Sequence, residues 1–195
     1  MSEPVVGVSD SGTRWLGEQE QQVWRSFVAA TEMLEAHLAG QLQRDSNMPY
    51  THYEVLVRLS EAVDYTMRMS DLAAACHASR SRLSHAVAKM EDSGWVRRTS
   101  CPTDKRGAFA ILTAEGLHAL ERAAPGHVAA VRRHLFDVLT NEQVSALGEI
   151  GAAIVAGLER ECAAAGETAD EVGGGDGETG HASDDGAYRS DRSAR

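Results

Sequence analysis

A change of periodicity at Gly94 constrains this chain more than any other feature. Beyond it, Trp95-Val96-Arg97-Arg98-Thr99-Ser100 and Ala108-Phe109-Ala110-Ile111-Leu112 read as two short strands around a polar tip, Pro102 to Gly107. Before it the pattern is helical. Ser70 is expected to cap a short helix, Asp71 to Cys76, and Ser79 a second, Arg80 to Ser93, which Gly94 closes in a C-terminal cap position. Two short helices on a tight turn, followed at once by a long-tipped hairpin, have the spacing of a helix-turn-helix with a wing.

The flanks are helical too. Trp15 to Gln43 carries an apolar stripe at steps of three and four through Trp24, Phe27, Thr31, Leu34, Leu38 and Leu42. A stripe this long and narrow suits a subunit interface, with a plain core helix as the alternative. Thr51 to Ala62 reads as another helix, with Tyr53, Leu56, Val57 and Leu59 inward. Thr113 is placed to cap a helix from Ala114, which the Pro125-Gly126 pair is expected to kink or interrupt. Thr140 and Gln143 suggest a capping box for a last helix with Val144, Leu147, Ile150, Ile154, Val155 and Leu158 on one face, ending near Ala165. From Gly166 onward seven glycines and eight acids leave too little apolar surface to offset ordering, so the tail is expected to be disordered.

The fold class is therefore mainly α with a small β-hairpin wing: a winged helix-turn-helix domain over about 50–113 plus a helical dimerisation region over about 15–43 and 114–165. Residues 1–13 are a flexible lead-in and 166–195 an acidic, Gly-rich tail.

The chain's net charge of −10 conceals an uneven distribution. Residues 166–195 carry a net −5, whereas Arg68 to Arg106 holds eight basic and four acidic side chains, a local +4. Leu83, Ala86, Val87 and Met90 share one side of the second short helix, which leaves Ser81, Arg82, Ser84, His85, Ala88 and Lys89 on the other. Short side chains between long donors allow close approach to a major groove, where arginine reads guanine bidentately. Ser79 and Arg80 lie at the helix start, where free amides suit a phosphate. A solvated basic face is the plainer reading of the helix taken alone. A second positive element, Arg97, Arg98, Lys105 and Arg106, follows directly in the hairpin and favours DNA. Asp104 fits either turn chemistry or the orienting of an arginine.

The run from about Trp15 to Glu161 resembles the MarR (multiple antibiotic resistance regulator) family. The likeness rests on Met69-Ser70-Asp71-Leu72-Ala73, Ser79-Arg80-Ser81-Arg82-Leu83-Ser84-His85, Asp92-Ser93-Gly94-Trp95-Val96-Arg97-Arg98 and the wing Asp104-Lys105-Arg106-Gly107. It implies a sequence-specific regulator of transcription that binds a pseudo-palindromic double-stranded DNA operator as a homodimer, commonly a repressor relieved by a small aromatic effector. By position it assigns DNA contact to Ser81, Arg82, Ser84, His85 and Arg106, with Asp104 holding the wing arginine. A non-specific architectural DNA binder and a winged-helix protein-interaction module are the alternatives.

An effector pocket walled by Trp24, Phe27, His52, Tyr53 and Trp95 is one expectation, with a core role for these residues as its rival. Cys76, Cys101 and Cys162 show no Cys-x-x-Cys spacing, so neither a disulfide framework nor a zinc knuckle is expected; Cys101, among basic residues at the wing base, is the one candidate for reactivity. The eight histidines include no pair at i, i+3 or i+4, and His127 and His134 lie about 10.5 Å apart along a helix, too far to share an ion. No metal and no cofactor are expected. Neither a Gly-x-Ser-x-Gly elbow nor a Walker loop occurs, so catalysis is not expected. Without an apolar run of spanning length or a signal-peptide pattern, the expected location is the cytoplasm.

Overall fold

The computed structural model describes residues 12–100 and 107–172, with side chains through Glu161. Its elements are α1 (Glu18–Ser46), α2 (Tyr50–Glu61), a 3-10 turn (Val63–Tyr65), β1 (Thr66–Arg68), α3 (Met69–Ala75), α4 (Arg80–Asp92), β2 (Val96–Ser100), β3 (Ala108–Leu112), α5 (Ala114–His134), a second 3-10 turn (Phe136–Val138) and α6 (Asn141–Val172). Residues 1–140 form one compact unit and residues 141–195 a second.

In the first unit the core is assembled where α2, α3, α4 and the sheet meet. Leu56, Leu59, Leu72, Val87 and Met90 are wholly buried, and Leu42 and Ala123 bring α1 and α5 into the same cluster. Each burial removes a side chain worth about 1.5–3 kcal/mol of transfer free energy from water. The helical steps of α2 and α4 put these residues on one stripe, and the opposite stripe remains wet.

The sheet has three strands in the order β1-β3-β2, all antiparallel, with Thr66 opposite Ile111 and Val96 opposite Leu112. The hairpin matches the sequence expectation. Strand β1 does not appear in that expectation, because three residues are too few to display a period of two. It turns a two-stranded ribbon, marginal in water, into a three-stranded sheet whose central strand buries Ala110 and Leu112.

Three helix boundaries differ from expectation for local reasons. Arg68, not Ser70, precedes the first residue of α3, and the Ser70 hydroxyl donates to Asp71 Oδ1 at 3.0 Å instead of capping. Helix α5 continues through Pro125 without a break. The proline removes one amide, and the carbonyl that loses it is that of Glu121, on the exposed side of the helix. Gly126 then allows close packing, since a Cβ there would lie 2.9 Å from Gln41 Nε2 on α1. In the second unit α6 runs to Val172, past Ala165 and through Gly166, so the helical ladder extends into what reads as tail. The lead-in through Ser11 and the tail from Gly173 lie outside the described residues.

The joint between the winged domain and α5 is tightly made. Gly94 has φ +73°, and the backbone amide of Trp95 donates to Met90 O at 2.9 Å, ending α4 in a left-handed cap. The Thr113 hydroxyl donates to Gly94 O at 2.6 Å and accepts from Gly116 N at 3.0 Å, while Thr113 N donates to Trp95 O at 3.1 Å. A Cβ on Gly116 would sit 2.1 Å from Trp95 O and 2.8 Å from Leu112 Cδ1. Backbone on one side and core on the other leave no room to yield. Gly116→Ala is therefore expected to lower unfolding free energy by about 2–3 kcal/mol, and Thr113→Val by about 1 kcal/mol. Urea unfolding followed by circular dichroism measures both; a Gly116→Ala protein as stable as the parent would contradict this packing.

Candidate nucleic-acid interface

Helices α3 and α4 are joined by Cys76 to Ser79. The turn closes through His77 N to Ala74 O at 3.0 Å and Ala78 N to Ala73 O at 2.9 Å, with His77 at φ +46°. Histidine is among the residues that tolerate this left-handed region better than most. Ser79 caps α4 as expected, its hydroxyl accepting from Arg82 N at 3.3 Å. Leu72 and Ala73 on one side of the turn and Leu83 and Val87 on the other are buried, which fixes the rotation of α4.

That rotation decides what α4 shows to solvent. Ser79, Arg80, Ser81, Arg82, Ser84, His85 and Lys89 are all exposed, as the helical wheel requires. The side chains of Arg82, His85 and Lys89 form no ion pair and no hydrogen bond among the described residues. Three long donors at steps of three and four thus project from a helix held rigidly from behind.

The strand arginines differ from each other. Arg97 is exposed, whereas Glu91 accepts from both the backbone N (2.8 Å) and Nε (2.5 Å) of Arg98. This charge-assisted pair fastens β2 to the end of α4 and partly neutralises Arg98. Between the start of α3, the face of α4 and the wing strands lies a cleft of about 520 Å³ lined by Arg68, Ser70, Arg80, Ser84 and Arg98. Arg68 also stacks over Phe109, its guanidinium carbon 5.3 Å from the ring centroid. Neither Arg68 nor Ser70 stands out as a site residue in the sequence. The signal that finds them is a cation and a hydroxyl straddling the start of α3, once β1 is known to bring that start beside β3. A cleft with three guanidinium groups and two hydroxyls suits a phosphate oxyanion. Cys101, Asp104, Lys105 and Arg106 lie outside the described residues.

A crystal structure of Sco3205, a MarR family transcriptional regulator from Streptomyces coelicolor in complex with DNA, is similar to this chain at 55% identity and TM-score 0.72, over 75% of this chain and 92% of that one. This chain belongs to the MarR family. AbsC, a second Streptomyces coelicolor regulator of the family, is similar at 43% identity and TM-score 0.71, over 75% and 99% of the two chains. The MarR family model matches residues 46–107, from the end of α1 through the wing tip. An Escherichia coli MarR variant solved with operator DNA, at 18% identity and TM-score 0.62 over 72% and 99%, supports the fold alone. No curated protein matches the chain. The protein is thus a MarR family transcriptional regulator with a DNA-binding winged helix. Among the described residues no helix is long and apolar enough to cross a membrane.

The expected aromatic effector pocket does not assemble as one site. Trp24 and Phe27 contact each other at 6.4 Å between centroids and are both exposed on the N-terminal half of α1. His52 meets the edge of Trp95 at 6.2 Å, and Tyr53 packs on His127 at 4.4 Å. Helical spacing put the α1 pair on the same stripe as the core, but α1 outruns the elements that cover its C-terminal half. A separate cavity of about 370 Å³ lies between α1, α2 and the α3–α4 turn, lined by Glu35, Tyr50, Glu54, Cys76, Arg82 and His85. Burial, reinforced by Glu54, pushes the Cys76 thiol up to about 11, which leaves it an inert thiol at neutral pH.

Two histidines behind the interface are kept neutral. His52 is lowered by burial and then by Lys89, and His127, whose Nδ1 is buried without a hydrogen-bond partner, is lowered by burial. Unfolding returns both to the ordinary value of about 6.5, so near that pH the unfolded chain binds more protons than the folded one. Their stabilising contribution is complete above about pH 6.5 and is lost as pH falls through that value toward the lowered folded pKa values. Urea midpoints are expected to drop between about pH 7.5 and pH 5.5, with a shallower drop in His127→Gln. A flat profile in the parent protein would contradict neutral burial of these rings.

Proposed function

We propose that this protein is a ligand-responsive repressor that binds a pseudo-palindromic operator as a homodimer, with α4 in the major groove. The observation that carries the reading is the exposed, unpaired row Arg82, His85 and Lys89 on a helix whose other face is locked into the core. Ser79, Arg80, Ser81 and Ser84 complete the groove face, and their short hydroxyls let the helix approach. Arg97 and the cleft lined by Arg68, Arg80 and Arg98 take backbone phosphates. Lys105 and Arg106 hold the flanking groove, with Asp104 orienting Arg106.

The dimer is supported by what the monomer leaves uncovered. On α1, Val23, Trp24, Phe27 and Met33 are 43–62% exposed. On α6, Leu147, Ile150, Ile154, Val155 and Leu158 form an i, i+3, i+7, i+8, i+11 stripe that is 38–58% exposed. Patches of this kind on a regulator with a DNA-bound relative fit burial against a second copy. The ligand response is supported by the cavity beneath Arg82 and His85, from which a bound molecule reaches the groove-reading residues directly.

Fluorescence anisotropy on a duplex from the protein's own promoter and on a scrambled duplex, at two salt concentrations, tests the reading. Promoter preference is expected, and Arg82→Ala is expected to cost about 1–3 kcal/mol, roughly 5- to 150-fold, on the promoter while changing the scrambled duplex little. Equal, steeply salt-dependent binding to both duplexes would instead indicate an architectural binder, and activity indifferent to Arg82→Ala and Arg106→Ala an interaction module. Light scattering of the parent and of Ile154→Glu is expected to show a dimer that the substitution shifts toward monomer. Salicylate, as a phenolic probe, is expected to weaken promoter binding; unchanged affinity at millimolar salicylate counts against a phenolic effector.

A further inference from the structure

Arg98 leaves β2 on the face of the sheet that packs against the core. Val96, two residues earlier, is buried, and so is Ala110, which lies opposite Arg98 on β3. A guanidinium starting from that face is costly unless it finds a partner, and it finds one at the end of α4. Glu91 Oε1 accepts from the Arg98 backbone N at 2.8 Å and Glu91 Oε2 from its Nε at 2.5 Å. The side chain is thus gripped at Nε, the inner end of its fork. Its terminal nitrogens, Nη1 and Nη2, form no hydrogen bond among the described residues. Arg98 lines the cleft of about 520 Å³ together with Arg68, Ser70, Arg80 and Ser84, and Glu91 stands outside that lining.

The pair has two opposed effects on an approaching anion. The carboxylate partly cancels the charge of Arg98 and so weakens its pull on a phosphate. It also holds a long side chain in one place, and an unrestrained arginine gives up freedom worth roughly 2- to 12-fold in affinity when a ligand immobilises it. Solvent around a half-exposed pair shrinks the first effect and leaves the second. We propose that Glu91 is a positioning residue for DNA binding, holding Arg98 so that its terminal nitrogens form a preformed fork for a backbone phosphate seated in the cleft. This rests on the reading of the cleft as a phosphate seat given above. The role is invisible along the chain, where an acid seven residues before an arginine, beside a basic helix face, reads only as an unfavourable charge.

A double-mutant cycle separates the two effects. Glu91→Gln is nearly isosteric: its carbonyl oxygen still accepts from Arg98 N, which keeps β2 fastened to α4, but its amide NH2 is a donor and cannot accept from Nε. Anisotropy across a salt series, on the promoter duplex and a scrambled one, compares the parent, Glu91→Gln, Arg98→Gln and the double variant, with urea unfolding to verify that each is folded. Arg98→Gln is expected to weaken binding to both duplexes alike and to lower the salt slope by about one, because a phosphate carries no sequence information. In the Glu91→Gln background the same substitution is expected to cost roughly 2- to 12-fold less. Arg80→Gln is the control: Arg80 has no ion pair among the described residues, so its cost is expected to be equal in both backgrounds. An unchanged salt slope in Arg98→Gln would overturn the phosphate reading of the cleft, and the positioning role with it. A slope that falls while Arg98→Gln costs as much or more in the Glu91→Gln background would overturn the positioning role alone, since a carboxylate that only neutralises Arg98 or only supports the fold gives that result.

Discussion

The carbonyl of Trp95 is the point on which the rest of this fold depends. It lies at the end of α4 and the start of β2, it accepts from the amide of Thr113, and it rests against the α-carbon of Gly116 so closely that no side chain fits between. Four elements are thereby fixed by one peptide group: α4 through the Gly94 cap, β2 through its first residue, β3 through Leu112, and α5 through the Thr113 cap. A backbone acceptor can be approached this closely only by a residue without Cβ, which makes Gly116 a condition of the topology. The consequence for function is mechanical. The helix proposed to read DNA ends on the same group from which α5 departs, so α5 and α4 are related by a short, stiff connection rather than a loop. The Glu91–Arg98 pair adds a second fastening between α4 and β2, one that partly neutralises an arginine lining the cleft.

Exposure along α1 shows where the monomer stops being self-sufficient. Leu38 and Leu42 are buried, while Val23, Trp24 and Phe27, roughly three to four turns before the His37 contact with the end of α5, face solvent. A helix that is apolar beyond its own core covers something else. The contact of α1 with α5 is also polar to an unusual degree. Gln41 is buried with Oε1 unpaired, its Nε2 is held by Asp45 at 2.9 Å, and His37 and His134 meet one turn further along α1. Polar groups at a helix crossing are costly unless satisfied, so this crossing is less firmly set than the apolar joint at Trp95.

How much of this was legible in the sequence follows from the range over which each interaction acts. Ser79, Gly94 and Thr113 are local signals, each satisfied within a few residues or at an element's own end, and all three are found in their expected roles. The wet face of α4 follows from its 3.6-residue period, so Arg82, His85 and Lys89 were readable in advance. Pro125 misleads because its cost depends on where the orphaned carbonyl points, which the sequence does not encode. Ser70 misleads because the hydroxyl found a competing partner in Asp71. Trp24, Phe27, His52, Tyr53 and Trp95 read as one aromatic set on composition alone, yet three separate contacts divide them. Arg68 gains its place only through β1, whose pairing with β3 is a long-range event.

Histidine shows the same limit most sharply. Counting along the chain, His127 and His134 form the natural pair, and one helix does put them on a common side. The fold gives them opposite fates: His127 is buried on Tyr53 and kept neutral, while His134 reaches the solvent edge and meets His37 from another helix. The difference comes from the antiparallel course of α1 along α5, with Gln41 beside Gly126 and His37 beside His134. Spacing along one helix detects pairs built on that helix and is blind to contacts made by two helices crossing. The net charge of −10 is similarly uninformative, since it averages an acidic tail with a basic stretch from Arg68 to Arg106. In both cases the deciding quantity is not how many groups the chain carries but which of them the packing of α1, α4 and α5 brings to one surface.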